Sequence, residues 1–370
     1  MVDARIARLA KLVVDYCIAV KPGEEVSVEG SIESLPLLRE VVREVVTRGG
    51  YPFVRITDES LVEVFYRYAP ESVLRYVSPV ERELVQRVHA TIRVHAPTHT
   101  KPLSGIDPTR IKARSDATRE LTEIFLRRSA SGELKWVVVA YPTRALAQEA
   151  GMSIEEYENF VYRATYADTD DPVSVWTEIG RRQQRIVDFL SSVRELRFTG
   201  PGVDLVMRVD GRRWINDDGR NNMPGGEVFS APIEDSVEGY VEFDYPAIWR
   251  GIEVDGVKLV FRRGVVVEAK ALRNEEFLRR MLEVDEGARR VGEIAFGLNY
   301  SIDRATRSIL FDEKIGGTIH LALGSAYPET GGRNISAIHW DLIKDMRKAK
   351  VYADGDLVYE NGRFISEVLH

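Results

Sequence analysis

Four segments in the second half of this 370-residue chain set one or two metal-competent side chains on an otherwise apolar stretch. They are Glu227 in NNMPGGEVFSAP, Glu293 in VGEIAFG, His320 in GGTIHLALG, and the pair His339 and Asp341 in SAIHWD. On an extended chain, alternate residues share a face. If SAIHWD is extended, His339 and Asp341 reach one cation while Trp340 points away. TIHLALG then presents Thr318, His320 and Ala322 on one side, with small neighbours that leave room for an ion. Its Ile319, Leu321 and Leu323 face the core. Glu293 likewise sits opposite Ile294 and Phe296, and the turn Pro224-Gly225-Gly226 is placed to aim Glu227. Carboxylates mixed with imidazoles suit zinc, cobalt or manganese. Four or five ligands exceed the three of a simple catalytic zinc site. Two divalent ions roughly 3.5–4 Å apart, bridged by a carboxylate and a water, would use them. Such ions lower the pKa of bound water from about 15.7 to about 7 and polarise a carbonyl. Tyr327 offers a phenol to the oxyanion that forms when the carbonyl becomes tetrahedral.

Plainer readings compete with this one. A lone histidine on an apolar strand is more often a satisfied core residue, and a buried glutamate more often pairs with an arginine. His95 and His99 in RVHAPTHT form a weaker His-x3-His, more often structural than ligating. The sequence contains no HExxH, Gly-x-Ser-x-Gly, P-loop or GxGxxG motif. Gly316-Gly317 lacks the Lys-Ser/Thr that a phosphate loop requires.

The elements that must carry these residues differ between the halves. Residues 3–19 have helical period, EEVSVEGS reads as a strand, and a helix over 35–46 precedes the strand YPFVRI. The unit recurs: helix to about Arg87, strand ATIRVHA, helix near 108–129, strand KWVVVAYP, then a long helix from Pro172 to about Val193. Strands of continuous Val, Ile and Ala between helices predict an α/β domain over residues 1–193 with a mostly parallel sheet. Residues 194–370 alternate apolar and polar. They carry Asp210-Gly211, Asp255-Gly256, Asp354-Gly355 and Asn361-Gly362 as hairpin signals. That predicts an α+β domain of mainly antiparallel sheet, helical only at about 274–290 and after His339, and this domain holds the candidate site.

The 51 Lys+Arg against 58 Asp+Glu give a net charge of -7, which argues against nucleic acid or anionic membrane as partners. No apolar run reaches the roughly 18–20 residues of a membrane span. MVDARIARLA carries acids and arginines where a signal peptide has its apolar stretch. The single cysteine, Cys17, rules out an intrachain disulfide and a Cys-based zinc cluster, so a cytoplasmic protein is expected. Forty arginines to eleven lysines, with four glutamines, fits a protein built for heat.

NNMPGGEVFSAP, VGEIAFGLN, FDEKIGGTIHLALGSAYPETGG and SAIHWDLI, in this order, resemble the aminopeptidase T and aminopeptidase S family of metallopeptidases. The resemblance spans the chain, with weaker signatures in its first half. It implies removal of N-terminal amino acids from peptides by a centre of two metal ions, in a homodimer whose active sites face an internal cavity. It implies Glu227, Glu293, His320, His339 and Asp341 as ligands, with Glu293 bridging and handling the proton of the nucleophilic water, and Tyr327 acting on the transition state. Glu313 matches an acid near the metals of the family. It stands seven residues before His320, a longer interval than in relatives, so a salt bridge to Lys314 or an arginine is the alternative. The rival functions are another dinuclear metallohydrolase of amides and a non-catalytic protein that keeps the fold.

Overall fold

A computed structural model describes residues 3–249 and 251–369; His370 lies outside the described residues. The chain divides into two compact units, Met1–Val175 with Gly219–Pro224, and Trp176–Asp218 with Gly225–His370. The division falls at Val175, not near residue 193. The reason is the amphipathic helix Pro172–Leu190, which commits Ile186, Val187 and Leu190 to the core of the second unit.

In the first unit a five-stranded sheet runs in the order Tyr51–Thr57, Glu25–Ser31, Ala90–His95, Lys135–Ala140, Asn222–Met223, every pair parallel. The continuous apolar runs become buried strands: Val26, Val28, Ile92, Val94, Val137 and Val139 are all within the core. Helix Leu35–Thr47 turns Leu37, Leu38, Val41 and Val45 inward and has a proline in its first turn, where no hydrogen bond is lost. Several elements escape the sequence reading, among them helix Arg144–Glu149, capped by Thr143. Helix Ile154–Ala164 opens with a capping box between Ser153 and Glu156. The two-residue strand Asn222–Met223 is too short to show any period.

The second unit encloses one core between two antiparallel sheets. The larger has eight strands in the order Val265–Lys270, Lys258–Arg262, Glu238–Glu242, Val203–Arg208, Glu195–Gly200, Lys350–Ala353, Asp356–Glu360, Arg363–Phe364. The smaller runs His339–Asp345, Thr318–Gly324, Val291–Gly297, Glu227–Ser230, Ile215–Asp217. Phe198 of the larger sheet stacks on Phe296 of the smaller at 6.3 Å between ring centroids. Asp354-Gly355 and Asn361-Gly362 make two-residue hairpin turns with both residues at positive φ, as the right-handed strand twist requires. Asp210-Gly211 instead leads from one sheet to the other, and Asp255 bridges Arg273.

The helix expected after His339 is not formed. His339–Asp345 is a strand, paired along its length with Thr318–Gly324. Its alternation buries Trp340 and Leu342 on one side, and the ladder with a fully buried neighbour overrides any helical tendency.

Candidate metal centre

The register of the smaller sheet assembles the candidate residues. Glu293 is opposite Ala322, and Ala322 is opposite Asp341, so one row across three strands reads Glu293, Ala322, Asp341. His320 lies two residues before Ala322, and His339 two before Asp341, on the same face. On the next strands Glu227 pairs with Gly297 on one side and with Asp217 on the other. Between the charged residues this face carries Gly297, Ala295, Ala322 and Gly324. The opposite face carries Val228, Ile294, Phe296, Ile319, Leu321, Leu323, Trp340 and Leu342, all in the core. The methyl of Ala322 leaves space above the sheet, and the side chains of both neighbouring strands converge over it.

Glu293 Oε1 is 3.2 Å from His320 Nε2, and Glu293 Oε2 is 3.2 Å from His339 Nε2. Asp341 Oδ1 lies 3.5 Å from His339 Nε2 and 3.9 Å from His320 Nε2. Ligand atoms about 2.0–2.2 Å from one ion stand roughly 2.9–3.6 Å from one another, depending on geometry. The Glu293 contacts and the Asp341–His339 contact fall in that range. Two groups of three bring their ligand atoms within 4.8 Å of one another: Glu293, His339 and Asp341, and Glu313, His320 and Asp341.

The far nitrogens of both rings are held by carbonyls. His339 Nδ1 is 2.8 Å from Ser325 O, and His320 Nδ1 is 3.2 Å from Glu313 O. A carbonyl oxygen only accepts, so each Nδ1 carries a proton and each Nε2 is turned to the carboxylates. That is the arrangement by which backbone oxygens orient metal-binding histidines.

The electrostatics show what the cluster lacks. Burial alone would strip the imidazoles of charge. The hydrogen bonds to Glu293 and the fields of Asp341 and Glu293 reverse this, and both histidines are pushed up to about 10. Glu293 is buried, yet its bonds to the two rings hold it down to about 2. Asp341 is raised by burial to about 6, against the lowering pull of His339 and His320. Glu227 is raised well above the carboxylate range by burial, offset only in part by Lys314. The imidazoles thus serve as the counter-cations of a surplus of acid. Glu227 Oε2 is buried with no hydrogen-bond donor, which leaves a lone pair beside the cluster. A buried orphan oxygen, Nε2 atoms turned to the carboxylates and ligand-like spacing together fit divalent cations.

Glu227 and Glu313 sit differently from the other four. Glu313 hydrogen-bonds Lys314, the alternative raised from the sequence, and also belongs to the group with His320 and Asp341. Glu227 Oε2 approaches the Nδ1 side of His320 at 3.8 Å, while its Oε1 is 3.5 Å from Lys314 Nζ. Lys314 and Asp217 are the polar residues of this site that the sequence reading missed as partners of Glu227. A lysine among DEK reads as surface, and only the tertiary structure shows it to be wholly buried. Tyr327 stands beside the cluster, its ring 4.8 Å from that of His339 and 5.6 Å from that of Phe229. Desolvation at its hydroxyl end, although the residue as a whole is 43% exposed, and then Glu293 and Asp341 raise its phenol, so the hydroxyl keeps its proton. His95 and His99 are in the first unit and join no group of three metal-competent side chains among the described residues.

A buried carboxylate–imidazole cluster of this kind, on one face of an antiparallel sheet, has the donor set of a divalent-metal centre. The model of the thermophilic metalloprotease family M29 matches residues 2–364, and the chain belongs to that family. Aminopeptidase 2 of Geobacillus stearothermophilus is 28% identical over 410 residues, covering 97% of this chain and 98% of that one. Aminopeptidase T of Thermus thermophilus is 29% identical over 393 residues, covering 96% and 95%. The solved structure of wild-type AmpT from Thermus thermophilus superposes with a TM-score of 0.84 at 26% identity, covering 98% of this chain and 99% of that one. As a member of this family the chain is a metal-dependent aminopeptidase.

Proposed function

We propose that this aminopeptidase works through two divalent ions, zinc, cobalt or manganese, held by Glu227, Glu293, Glu313, His320, His339 and Asp341. The observation that carries the reading is Glu293, whose two oxygens each stand 3.2 Å from a different histidine Nε2. A carboxylate so placed would serve one ion held with His339 and a second held with His320. Charge supports the same number. With neutral imidazoles, the carboxylates of Asp217, Glu227, Glu293, Glu313 and Asp341 face the single ammonium of Lys314, a surplus of four that two divalent ions neutralise. Bound there, the ions would supply an activated water at neutral pH and polarise the scissile carbonyl.

The chain's own residues do the rest. Glu293 is the base that takes the proton of the attacking water and returns it to the leaving amine. Tyr327, held protonated beside His339, donates its O–H to the oxyanion. A free N-terminal amine keeps a donor lone pair that an acylated nitrogen lacks and would be recognised at the ion site, so peptides with a free N-terminus are the substrates and cleavage is exo rather than endo.

A homodimer is supported by the first unit, which leaves Tyr51, Phe53, Ile56, Leu61, Val64 and Tyr68 exposed, an apolar load larger than isolated surface residues explain. In this reading the first unit contributes the cavity wall and dimer contacts and the second the catalysis. A cytoplasmic location is supported by the single, buried Cys17. No helix among the described residues is long and apolar enough to cross a membrane.

The deciding experiment is release of nitroaniline from leucine-p-nitroanilide by purified protein. Activity is expected to vanish with chelator, to return with Co²⁺ or Zn²⁺, and to be absent toward the N-acetylated substrate. Glu293→Gln should retain the circular dichroism of the wild type with turnover lost. Wild-type-like turnover in that variant removes Glu293 from the mechanism, and cleavage of the acetylated substrate removes the exopeptidase reading.

A further inference from the structure

A lysine is an unexpected residue to bury in a cation site, and Lys314 is fully buried. Its Nζ lies 3.5 Å from Asp217 Oδ2 and 3.5 Å from Glu227 Oε1, and it hydrogen-bonds Glu313 Oε1. Each of the two candidate ligands is therefore gripped by one oxygen only. For Glu227 the other oxygen, Oε2, is buried without a donor and stands 3.8 Å from the His320 ring. The backbone under Lys314 is fixed to the strand that carries Glu227. Asn299 N–H donates to Lys314 O, Asn299 Nδ2 donates to Gly225 O, and Leu298 N–H donates to Gly226 O. Gly226, at φ +115°, passes so close that an added Cβ would lie 2.7 Å from Asn299 Cβ. On the other side Gly226 N–H donates to Asp217 O, and Gln183 Nε2 donates to the carbonyls of Asp217 and Glu227. Anchor, ammonium and both carboxylates thus form one frame.

We propose that Lys314 is a positioning residue of the metal centre: tethered by Asp217, its ammonium pins Glu227 and Glu313 by one oxygen each, so that their remaining oxygens complete the ion site on the His320 side. Lys314 touches neither ion nor substrate. The proposal rests on the two-ion reading above. A plain countercharge would behave differently. Deleting a positive charge beside a cation site strengthens cation binding if nothing else changes. Deleting an orienting group weakens it, typically 10–100-fold.

The test titrates metal-free wild type, Lys314→Met, Asp217→Asn, Glu227→Gln and Lys314→Met/Glu227→Gln with Co²⁺. Visible absorption and calorimetry follow binding, and elemental analysis follows retained metal after dialysis. Wild type is expected to bind two ions. Lys314→Met should bind the first ion normally and the second 10–100-fold more weakly, with a changed Co²⁺ ligand-field spectrum for that ion. Asp217→Asn, which loosens the tether and also removes a negative charge, should shift the second affinity in the same direction by less. If Lys314→Met does not fold, Lys314→Arg decides: it keeps the charge but moves the donor atoms, so weaker second-ion binding supports the positioning role and wild-type binding overturns it. In the Glu227→Gln background the added effect of Lys314→Met should shrink, because the carboxylate it pins is gone. Second-ion binding as tight as wild type or tighter in Lys314→Met or Asp217→Asn overturns the positioning role. Fewer than two ions in wild type overturns the two-ion reading and the proposal with it.

Discussion

The protonation of His320 and His339 gives the centre a chemical signature that does not depend on turnover. Both rings hold their protons up to about 10 in the metal-free protein, because Glu293 and Asp341 hold them there. A metal ion needs the Nε2 lone pairs, so its binding must expel those protons. At pH 7.5 we expect release of about two protons on loading, measured as the dependence of calorimetric heat on the ionisation enthalpy of the buffer. Affinity should rise with pH up to about 10. The stability of the metal-free state runs the other way. A histidine raised in the folded state stabilises it fully below about 6.5 and loses that contribution as pH rises through about 10. Glu293, depressed to about 2, contributes above about 4.5 and loses its contribution as pH falls through about 2. Proton-neutral loading at pH 7.5 contradicts the assignment of the rings as ligands. Tyr327 makes a separate prediction: Tyr327→Phe should lower kcat by about 10²–10³ with KM and metal content nearly unchanged, since an oxyanion donor acts only in the transition state.

At the scale of elements, the site is a consequence of two-residue periodicity in three adjacent strands. Ala322 is the residue that most directly tests this, because it separates Glu293 from Asp341 in the cross-strand row. Ala322→Leu puts three extra carbons where the ions are to sit, while Leu321 and Leu323 stay in the core. Overpacking of this kind costs about 1–3 kcal/mol. We expect a correspondingly small drop in the thermal midpoint together with loss of retained Co²⁺ by elemental analysis. A variant that still retains two ions would mean that the space over Ala322 is not the metal site. The same periodicity explains what was legible beforehand. TIHLALG and GEIAFG declare a face for every residue, so the strand face shared by His320 and Glu293 was legible from sequence. The stretch after His339 reads as helix or strand when taken alone, and its pairing with Thr318–Gly324 decides the matter. Lys314 was illegible for a different reason: a charged residue has no period, and its burial follows from Asn299, Gly226 and Asp217, which are remote in sequence.

For the whole molecule, the metal-competent side chains all belong to the second compact unit, and that unit has its own core. Ion binding should therefore stabilise the strands of the smaller sheet directly. A ligand that binds only the folded state adds about 2.7 kcal/mol when its concentration is 100 times Kd, and two ions add twice that. Removing the ions leaves the carboxylates of Glu227, Glu293, Glu313 and Asp341 facing one another across a buried space. Their mutual repulsion is answered only by Lys314 and by protonated histidines. Hydrogen exchange followed by mass spectrometry should then show faster exchange after chelation in peptides from 225–230, 291–297 and 318–345. Peptides from the parallel sheet, at 25–31, 90–95 and 135–140, should exchange as before. Each of those parallel strands gains its protection from ladders to its neighbours and from valines buried at their centres, neither of which an ion in the other unit replaces. Uniform acceleration over both units, or a change confined to the parallel sheet, would place the ions somewhere other than over Ala322. A response restricted to the smaller sheet would tie the stability of that unit to the same side chains that perform its chemistry.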